Sequence, residues 1–142
     1  MDSKQALKLY VVFSRAYRAV SEADKTEIRK YGLSQSEFAV LELLYHKGPQ
    51  PIQQIASKVL LTSGSMTYVV SQLEKKGFVK RVVCEKDRRI FHVELTNTGN
   101  TLIGEIFPAH EMFIYNMFRV LRDEDPEKFM NQLKMLGKSI AD

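Results

Sequence analysis

The sequence predicts a mainly α-helical fold with a small β-wing, in which a winged helix-turn-helix is flanked by long helices at both ends of the chain. Two consecutive segments between Ile52 and Lys76 have the apolar spacing of amphipathic helices. Two β-branched and aromatic segments follow them and are joined by a charged tip. Apolar residues at helical spacing also mark both chain ends. Such an architecture indicates binding to double-stranded DNA.

The helix-turn-helix is predicted from two apolar stripes. Ile52, Ile55, Ala56 and Val59 would form the buried side of a short supporting helix. A second helix is predicted from Gly64 to about Lys76, with Thr62 or Ser63 as its N-cap and Gly77 as a C′ residue that tolerates a positive φ. The buried stripe of this second helix is Met66, Val69, Val70 and Leu73.

The wing is predicted as a hairpin with strands from Phe78 to Cys84 and from Arg89 to Leu95. In the tip between them, Asp87 would bond backbone amides or a neighbouring arginine and so hold the turn. Arg89 would insert into a narrow minor groove, where the negative potential is deepest. Since a charged tip alone is usually only solvated, this prediction depends on its place directly after a helix-turn-helix.

The predicted DNA contacts are hydroxyl-bearing or flat side chains at the start of the second helix, together with charged residues at its end and in the wing. Hydroxyls reach base edges and phosphates without being sterically excluded from a major groove. The alternative is an ordinary amphipathic helix whose serines and threonines are caps and exposed filler. The predicted contacts are Ser63, Ser65, Met66, Thr67, Tyr68, Ser71, Lys75, Lys76, Asp87, Arg88 and Arg89.

Basic residues are concentrated in the same region. Between Lys58 and Arg89 there are eight basic and three acidic residues, although the formal net charge of the whole chain is only +4. The positive field therefore lies on the predicted DNA face. Lys75 and Lys76 would also be favoured by the dipole at a helix C-terminus, and both explanations can hold together.

Four motifs carry a family resemblance: Gly64 to Thr67, Leu73 to Val79, Asp87-Arg88-Arg89, and Leu95-Thr96-x-x-Gly99. They resemble the MarR family of bacterial transcription regulators, and the similarity covers nearly the whole chain. The resemblance implies a homodimeric repressor that binds a pseudo-palindromic operator and is released by a small effector. Ser14 to Tyr17 and Phe38 to Gly48 are most similar to repressors of quinone and catechol resistance, which implies a stress response to phenolic or quinone-type molecules.

Long helices are predicted at both ends, over residues of about 4–30 and 98–142, because apolar residues recur there at spacings of three and four. Pro108 should kink or interrupt the helix near Phe107, and Asp123 should N-cap the last helix. A second copy of the chain would best bury these stripes in a C2 dimer. The alternative is that the terminal helices fold back over their own domain.

The winged module is placed at about 34–97 within a single domain of residues 1–142. Ser34 and Glu37 form a capping-box pattern at the start of its first helix, and Gly48 with Pro49 ends that helix. The buried side of this helix is predicted to be Phe38, Leu41, Leu44 and Tyr45.

A small aromatic effector would bind where the dimerisation helices meet the DNA module, between aromatic walls with a few polar groups. The candidate lining residues are Tyr10, Phe13, Tyr17, Phe38, His46, Phe107, His110 and Phe113. The alternative function is a structural or constitutive DNA-binding protein without an effector. Loss of operator binding on addition of an effector would separate the two.

Other classes of function have little support in the sequence. An enzyme is not expected, because there is no phosphate-cradling glycine loop, no serine or cysteine beside a plausible base and no distinct carboxylate pair. Three scattered histidines and the single Cys84 predict neither a metal site nor a cofactor. Cys84 is interpreted as a small apolar strand residue, the alternative being a redox role. With no membrane-length apolar run and no leader pattern, a cytoplasmic location is expected.

Overall fold

The computed structural model describes residues 1–59 and 65–141, which divide into two compact units, Met1–His110 and Glu111 onward. As predicted, the fold is mainly helical with a small antiparallel sheet. The helices are α1 (Ser3–Arg29), α2 (Gln35–Lys47), α3 (Ile52–Lys58), α4 (Met66–Lys75), α5 (Asn97–Phe118) and α6 (Pro126–Ala141), with a 3-10 turn at Arg119–Leu121; the strands are β1 (Gln50–Pro51), β2 (Val79–Val83) and β3 (Phe91–Leu95).

None of the helices in the described ranges combines the length and apolar character that crossing a membrane requires.

The sheet has the order β1-β3-β2, and both neighbouring pairs are antiparallel. β2 and β3 form the predicted hairpin, with Val79 opposite Leu95 and Val83 opposite Phe91. The two-residue β1 was not predicted from the sequence. It adds Gln50 and Pro51 to the other edge of β3, a position that tolerates a proline because an edge strand can lack one N–H donor.

The core of the first unit collects apolar side chains from α1, α2, α3, α4, α5 and the sheet. The predicted buried stripe of α4 is confirmed at all four positions. Two predicted core residues are exposed instead. Ala56 lies outside because the seven-residue α3 turns only a narrow face inward, and the ring of Tyr45 lies at the surface against His46. The most deeply buried large side chains are Ile28, Leu41, Ile55, Leu73 and Ile103.

The capping-box prediction for α2 is confirmed. The Ser34 Oγ accepts from the Glu37 amide at 3.1 Å, and the Glu37 Oε1 accepts from the Ser34 amide at 3.0 Å. Gly48 ends the helix with a φ of 76°, a conformation that favours glycine. These local hydrogen bonds fix where the first helix of the winged module begins and ends.

The interruption predicted for α5 and the cap predicted for α6 are wrong. α5 runs through Pro108 without interruption, since one missing amide donor removes a single hydrogen bond from a helix of 22 residues. Asp125, not Asp123, caps α6: its Oδ1 accepts from the Lys128 amide at 3.0 Å. Pro126 is the first residue of the helix, so Asp125 directly before it is in the N-cap position, from which its side-chain oxygen reaches the Lys128 amide.

The C-terminal end of α4 is closed by a Schellman turn, in which Gly77 adopts a φ of 80°. The Gly77 amide donates to the Glu74 carbonyl at 2.9 Å, and the Phe78 amide donates to the Leu73 carbonyl at 3.0 Å. The hydroxyl of Thr96 donates to the Gly77 carbonyl at 2.6 Å. This last bond ties the end of α4 to the start of α5.

A second connection joins the end of α4 to α2. The Lys76 ammonium donates to the Glu37 Oε2 at 2.7 Å and to the Gly32 carbonyl at 3.0 Å. Only 7% of Glu37 is exposed, so its carboxylate has lost most of its hydration and depends on the partner charge. Lys76 therefore stabilises the packing of α4 on α2.

We expect Gly99→Ala to lower the free energy of unfolding by about 2–4 kcal/mol, because an added Cβ would overlap the backbone carbonyl of Phe78. Gly104→Ala, in the same helix, is the matched control. Its Cβ would lie 3.6 Å from the Tyr45 hydroxyl, an ordinary contact, so stability should stay equal or rise by up to about 1 kcal/mol. Urea unfolding at one fixed protein concentration measures both, and equal stabilities would contradict the close approach of α5 to Phe78.

We expect Lys76→Ala to lower the free energy of unfolding by about 1–3 kcal/mol, because the buried carboxylate of Glu37 would lose its charged partner. Lys75→Ala removes the same charge from the preceding, exposed residue and should change stability by at most about 0.5 kcal/mol. The same urea titration compares them. If both variants unfold like the wild type, the ion pair with Glu37 does not hold α4 in place.

Candidate nucleic-acid interface

The first turn of α4 begins at Met66 and is capped by Ser65, whose Oγ accepts from the Tyr68 amide at 3.2 Å. The prediction that Thr62 or Ser63 caps a helix starting at Gly64 is therefore wrong. Ser65 has the extended conformation of an N-cap, and the buried Met66 that follows it anchors the first turn in the core.

Some of the predicted DNA contacts of α4 are exposed, and others are buried or bonded within the protein. Ser65, Thr67 and Tyr68 are exposed. Met66 is only 5% exposed and packs in the core, so its side chain does not lie on the surface where a DNA contact was predicted. Ser63 lies outside the described residues. The first turn thus presents two hydroxyls and one flat phenol to the outside.

Ser71, another predicted DNA contact, is half-buried and bonded within the protein. The Arg81 Nη2 donates to its Oγ at 3.0 Å, while the Arg81 Nε donates to the Glu74 Oε1 at 2.7 Å. Arg81 was not predicted from the sequence as a functional residue. The available signal was its spacing: Arg81 lies two residues after the buried Val79 in β2, so both side chains lie on the same face of the strand.

The two lysines at the end of α4 have different environments. Lys75 is exposed. The ammonium of Lys76, a predicted DNA contact, is bonded to Glu37 and to the carbonyl of Gly32. The single-residue offset turns the two side chains about 100° apart around the helix, so they cannot share one environment.

The tip of the wing is organised by Asp87. Its carboxylate accepts from the Arg89 amide at 3.0 Å, from the Arg89 Nε at 3.1 Å and from the Arg89 Nη2 at 3.2 Å. These side-chain and backbone hydrogen bonds hold the pKa of the Asp87 carboxyl below its usual value. The Arg89 side chain is nevertheless 91% exposed, and Arg88 is exposed as well. The tip therefore presents cations that can approach a phosphate backbone.

The predicted effector residues form two ring pairs, one exposed stripe and one separate residue. The rings of Phe38 and His110 lie 4.3 Å apart between centroids, and those of His46 and Phe107 lie 4.6 Å apart. A stripe of α1, formed by Tyr10, Phe13 and Tyr17, is exposed along the helix. Phe113 belongs to the second unit and is half-buried there.

Two further residues join these groups and were not predicted. Asp24 of α1 lies with its Oδ1 3.0 Å from the His110 Nε2, and its Oδ2 accepts from the Gln35 amide group at 3.1 Å. Tyr45 packs edge-on against His46, with centroids 5.2 Å apart. These contacts connect α1, α2 and the first half of α5 by polar and aromatic side chains.

Within residues 1–59 and 65–141, no cluster of three or more histidine, cysteine, aspartate or glutamate side chains has the arrangement to hold a metal ion. Cys84 is half-buried next to the wing tip, and its amide donates to the Ile90 carbonyl at 2.9 Å.

Comparisons with known proteins agree on one family. A model described as the MarR family matches residues 33–91, from the residue before the cap of α2 to the first residue of β3. The chain is 47% identical to the HTH-type transcriptional regulator MhqR of Bacillus subtilis (strain 168), over 95% of this chain and 93% of the relative. It is 41% identical to the uncharacterized HTH-type transcriptional regulator YkoM of the same strain, over 96% and 88% of the two chains.

The fold comparison gives the same result. The transcriptional regulator BldR from Sulfolobus solfataricus aligns with a TM-score of 0.77 and 27% identity, covering 97% of this chain and 99% of that one. Because the identity to MhqR reaches 47% over nearly the full length of both chains, this protein belongs to the MarR family of transcriptional regulators.

Proposed function

We propose that this MarR-family regulator is a homodimeric repressor that binds a pseudo-palindromic DNA operator and is released by a small phenolic or quinone-type molecule. The observation that carries the proposal is the exposed first turn of α4, with Ser65, Thr67 and Tyr68 outward above a fully buried apolar stripe. An α-helix fits a B-DNA major groove, and hydroxyls there can meet base edges or the adjacent phosphates.

The charges that are not used inside the protein support DNA as the partner. Lys75, Lys86 and Arg88 are exposed, and Arg89 stays 91% exposed although it pairs with Asp87, while Lys76 and Arg81 are paired with glutamates. Exposed cations neutralise phosphates and release counterions, which supplies most of the sequence-independent affinity. Arg89, presented at the wing tip, has the position from which a guanidinium could enter a minor groove.

Exposed apolar faces support a homodimer. No residue of α6 up to Ala141 is buried, although Phe129, Leu133, Leu136 and Ile140 lie along one side of it. In the other unit, Leu9 and Phe13 of α1 are also exposed. Contiguous apolar surface is unfavourable in water at about 25 cal/mol per Å², so these faces favour a second copy of the chain.

A surface aromatic cluster formed by Tyr45, His46 and Phe107 supports an aromatic effector. The His46 Nδ1 lies 2.9 Å from the Glu42 carbonyl, which accepts a hydrogen bond from it, so in the neutral imidazole Nε2 is a hydrogen-bond acceptor. Aromatic walls with one acceptor suit a phenol or a hydroquinone. Such a molecule would release the repressor only if it binds more tightly to a conformation that does not fit the operator.

We expect the protein to sediment as a dimer of about twice its 16.4 kDa chain mass at micromolar concentration. Leu133→Lys, which places a charge on the apolar side of α6, should shift the equilibrium toward monomer. Asn131→Lys adds the same charge on the opposite side of that helix and should leave the dimer intact. A wild-type monomer at micromolar concentration would rule out the proposed assembly.

We expect Arg89→Ala to weaken operator binding by about 1–3 kcal/mol, with the largest loss on sites with A·T-rich flanks, because it removes the cation at the wing tip. Lys75→Ala should weaken binding to all sequences alike and reduce the salt dependence by about one ion per subunit. Thr67→Ala should instead relax the preference at particular bases. Titrations of operator and scrambled duplexes at several salt concentrations separate these effects, and unchanged affinity for Arg89→Ala would show that the wing does not contact DNA.

The same titration tests release. The operator is located by footprinting upstream of the gene for this protein, and binding is then measured with a panel of phenols and quinones. Loss of operator binding with members of the panel, at unchanged dimer mass, supports an effector-controlled repressor. Binding that none of them alters would instead indicate a constitutive DNA-binding protein.

A further inference from the structure

We propose that Arg81 is a positioning residue that sets the direction of the wing relative to α4, so that the wing tip and the first turn of α4 reach one half-site together. This inference rests on the proposed DNA binding, but its structural part concerns the protein alone. Arg81 itself would not touch the DNA.

The contact that Arg81 makes spans two elements. From β2 its guanidinium donates to Glu74 at 2.7 Å and to Ser71 at 3.0 Å. Residues 71 and 74 are one turn apart on α4 and therefore lie on the same face. A planar guanidinium bonded at two points restricts both the distance and the rotation between strand and helix, which a single ammonium contact would not do.

The burial around the pair makes the contact effective. The side chains of Arg81 and Glu74 are 29% and 35% exposed, so water screens their attraction less than it would on open surface. By comparison, the neighbouring Lys80 pairs with Glu94 of β3 at 3.2 Å, within the wing, and is more exposed. Adjacent cations on β2 thus bind different elements. Lys80 joins β2 to β3 within the wing, and Arg81 joins the wing to α4.

Arg81 also marks the point where the wing leaves the body of the protein. It pairs across the hairpin with Val93, which is fully buried. The next residues outward, Val82, Val83 and Phe91, are each about 40% exposed. In the described ranges, Arg81 makes the outermost side-chain hydrogen bond between the wing and another element.

The wing tip lies far enough from Arg81 that a small rotation at the base of the wing would move the tip by several ångströms. β2 continues to Val83, and five or six residues in all separate Arg81 from the tip, so at ~3.3 Å per residue the distance is at most roughly 15–20 Å. A rotation of ~10° at the base would therefore move Arg89 by roughly 3 Å, about the length of a hydrogen bond. Asp87 fixes the shape of the tip and the pairing of β1 with β3 holds one strand of the wing, while Arg81 fixes the other strand relative to α4.

The structural part is tested without DNA. In a Cys84→Ser background, spin labels on Thr67→Cys and Lys86→Cys report the distance between α4 and the wing tip by pulsed electron paramagnetic resonance, with labelled chains diluted by unlabelled ones. Arg81→Met should broaden or shift this distance by about 3 Å or more. Lys80→Met removes the same charge from the adjacent residue and should leave the distance unchanged. Distances of equal width and mean in all three proteins would overturn the proposal.

A milder variant tests the same contact in case Arg81→Met does not fold. Glu74→Gln keeps the volume and one acceptor but removes the charge that Arg81 bonds. It should broaden the distance less than Arg81→Met does, at an unchanged circular dichroism spectrum. If Arg81→Met does not fold and Glu74→Gln gives the wild-type distance, the positioning role is wrong.

The functional part is tested by combining substitutions. In the wild-type and Lys80→Met backgrounds, Arg89→Ala should weaken operator binding by at least about 5-fold. In the Arg81→Met background the same change should cost less than about 2-fold, because a tip that is not held in place contributes little. Equal losses in all backgrounds would overturn the proposal, since Arg81 would then supply only charge.

If the wild type binds no DNA, the proposed function fails, while the distance measurement still decides the role of Arg81.

Discussion

The rest of the structure depends on how the C-terminal end of α4 is closed. A helix end leaves carbonyl groups without intrahelical donors, and here the turn at Gly77 satisfies those of Leu73 and Glu74. Thr96 then bonds the Gly77 carbonyl, and Lys76 bonds Glu37 of α2. One helix terminus thereby joins α2, the wing and α5, because each of these elements supplies a group that the terminus requires.

That closure also explains which part of α4 can face DNA. Its C-terminal half is held by Lys76, Glu74 and Ser71, all bonded to other elements, whereas its first turn carries exposed hydroxyls. A reading surface needs side chains that are unpaired but a backbone that is fixed. The arrangement meets both needs, since the bonds to other elements lie at one end of the helix, while Thr67 and Tyr68 are exposed at the other end, where Ser65 caps the backbone.

The basic residues show why net charge is a poor guide to a binding face. Lys75 and Lys76 are adjacent in sequence, as are Lys80 and Arg81, yet in each pair one side chain holds the fold together and the other is more exposed. A cation bonded to a half-buried glutamate offers little to a phosphate, because its charge is already compensated. The field that DNA would meet comes from Lys75, Lys86 and Arg88, together with Arg89, whose side chain stays 91% exposed although it pairs with Asp87.

The sequence by itself determined the helices, the hairpin and three of the helix ends, because apolar periodicity and capping patterns act over three to seven residues. The Ser34 capping box, the helix end at Gly48, the positive φ of Gly77 and the buried stripe of α4 could all be predicted for this reason. Only the tertiary structure decided the third strand, the bond between Lys76 and Glu37, 39 positions apart, and the engagement of Ser71 by Arg81. The physical reason is that a side chain chooses its partner by distance in space, and residues far apart in sequence come within reach only when the chain has folded.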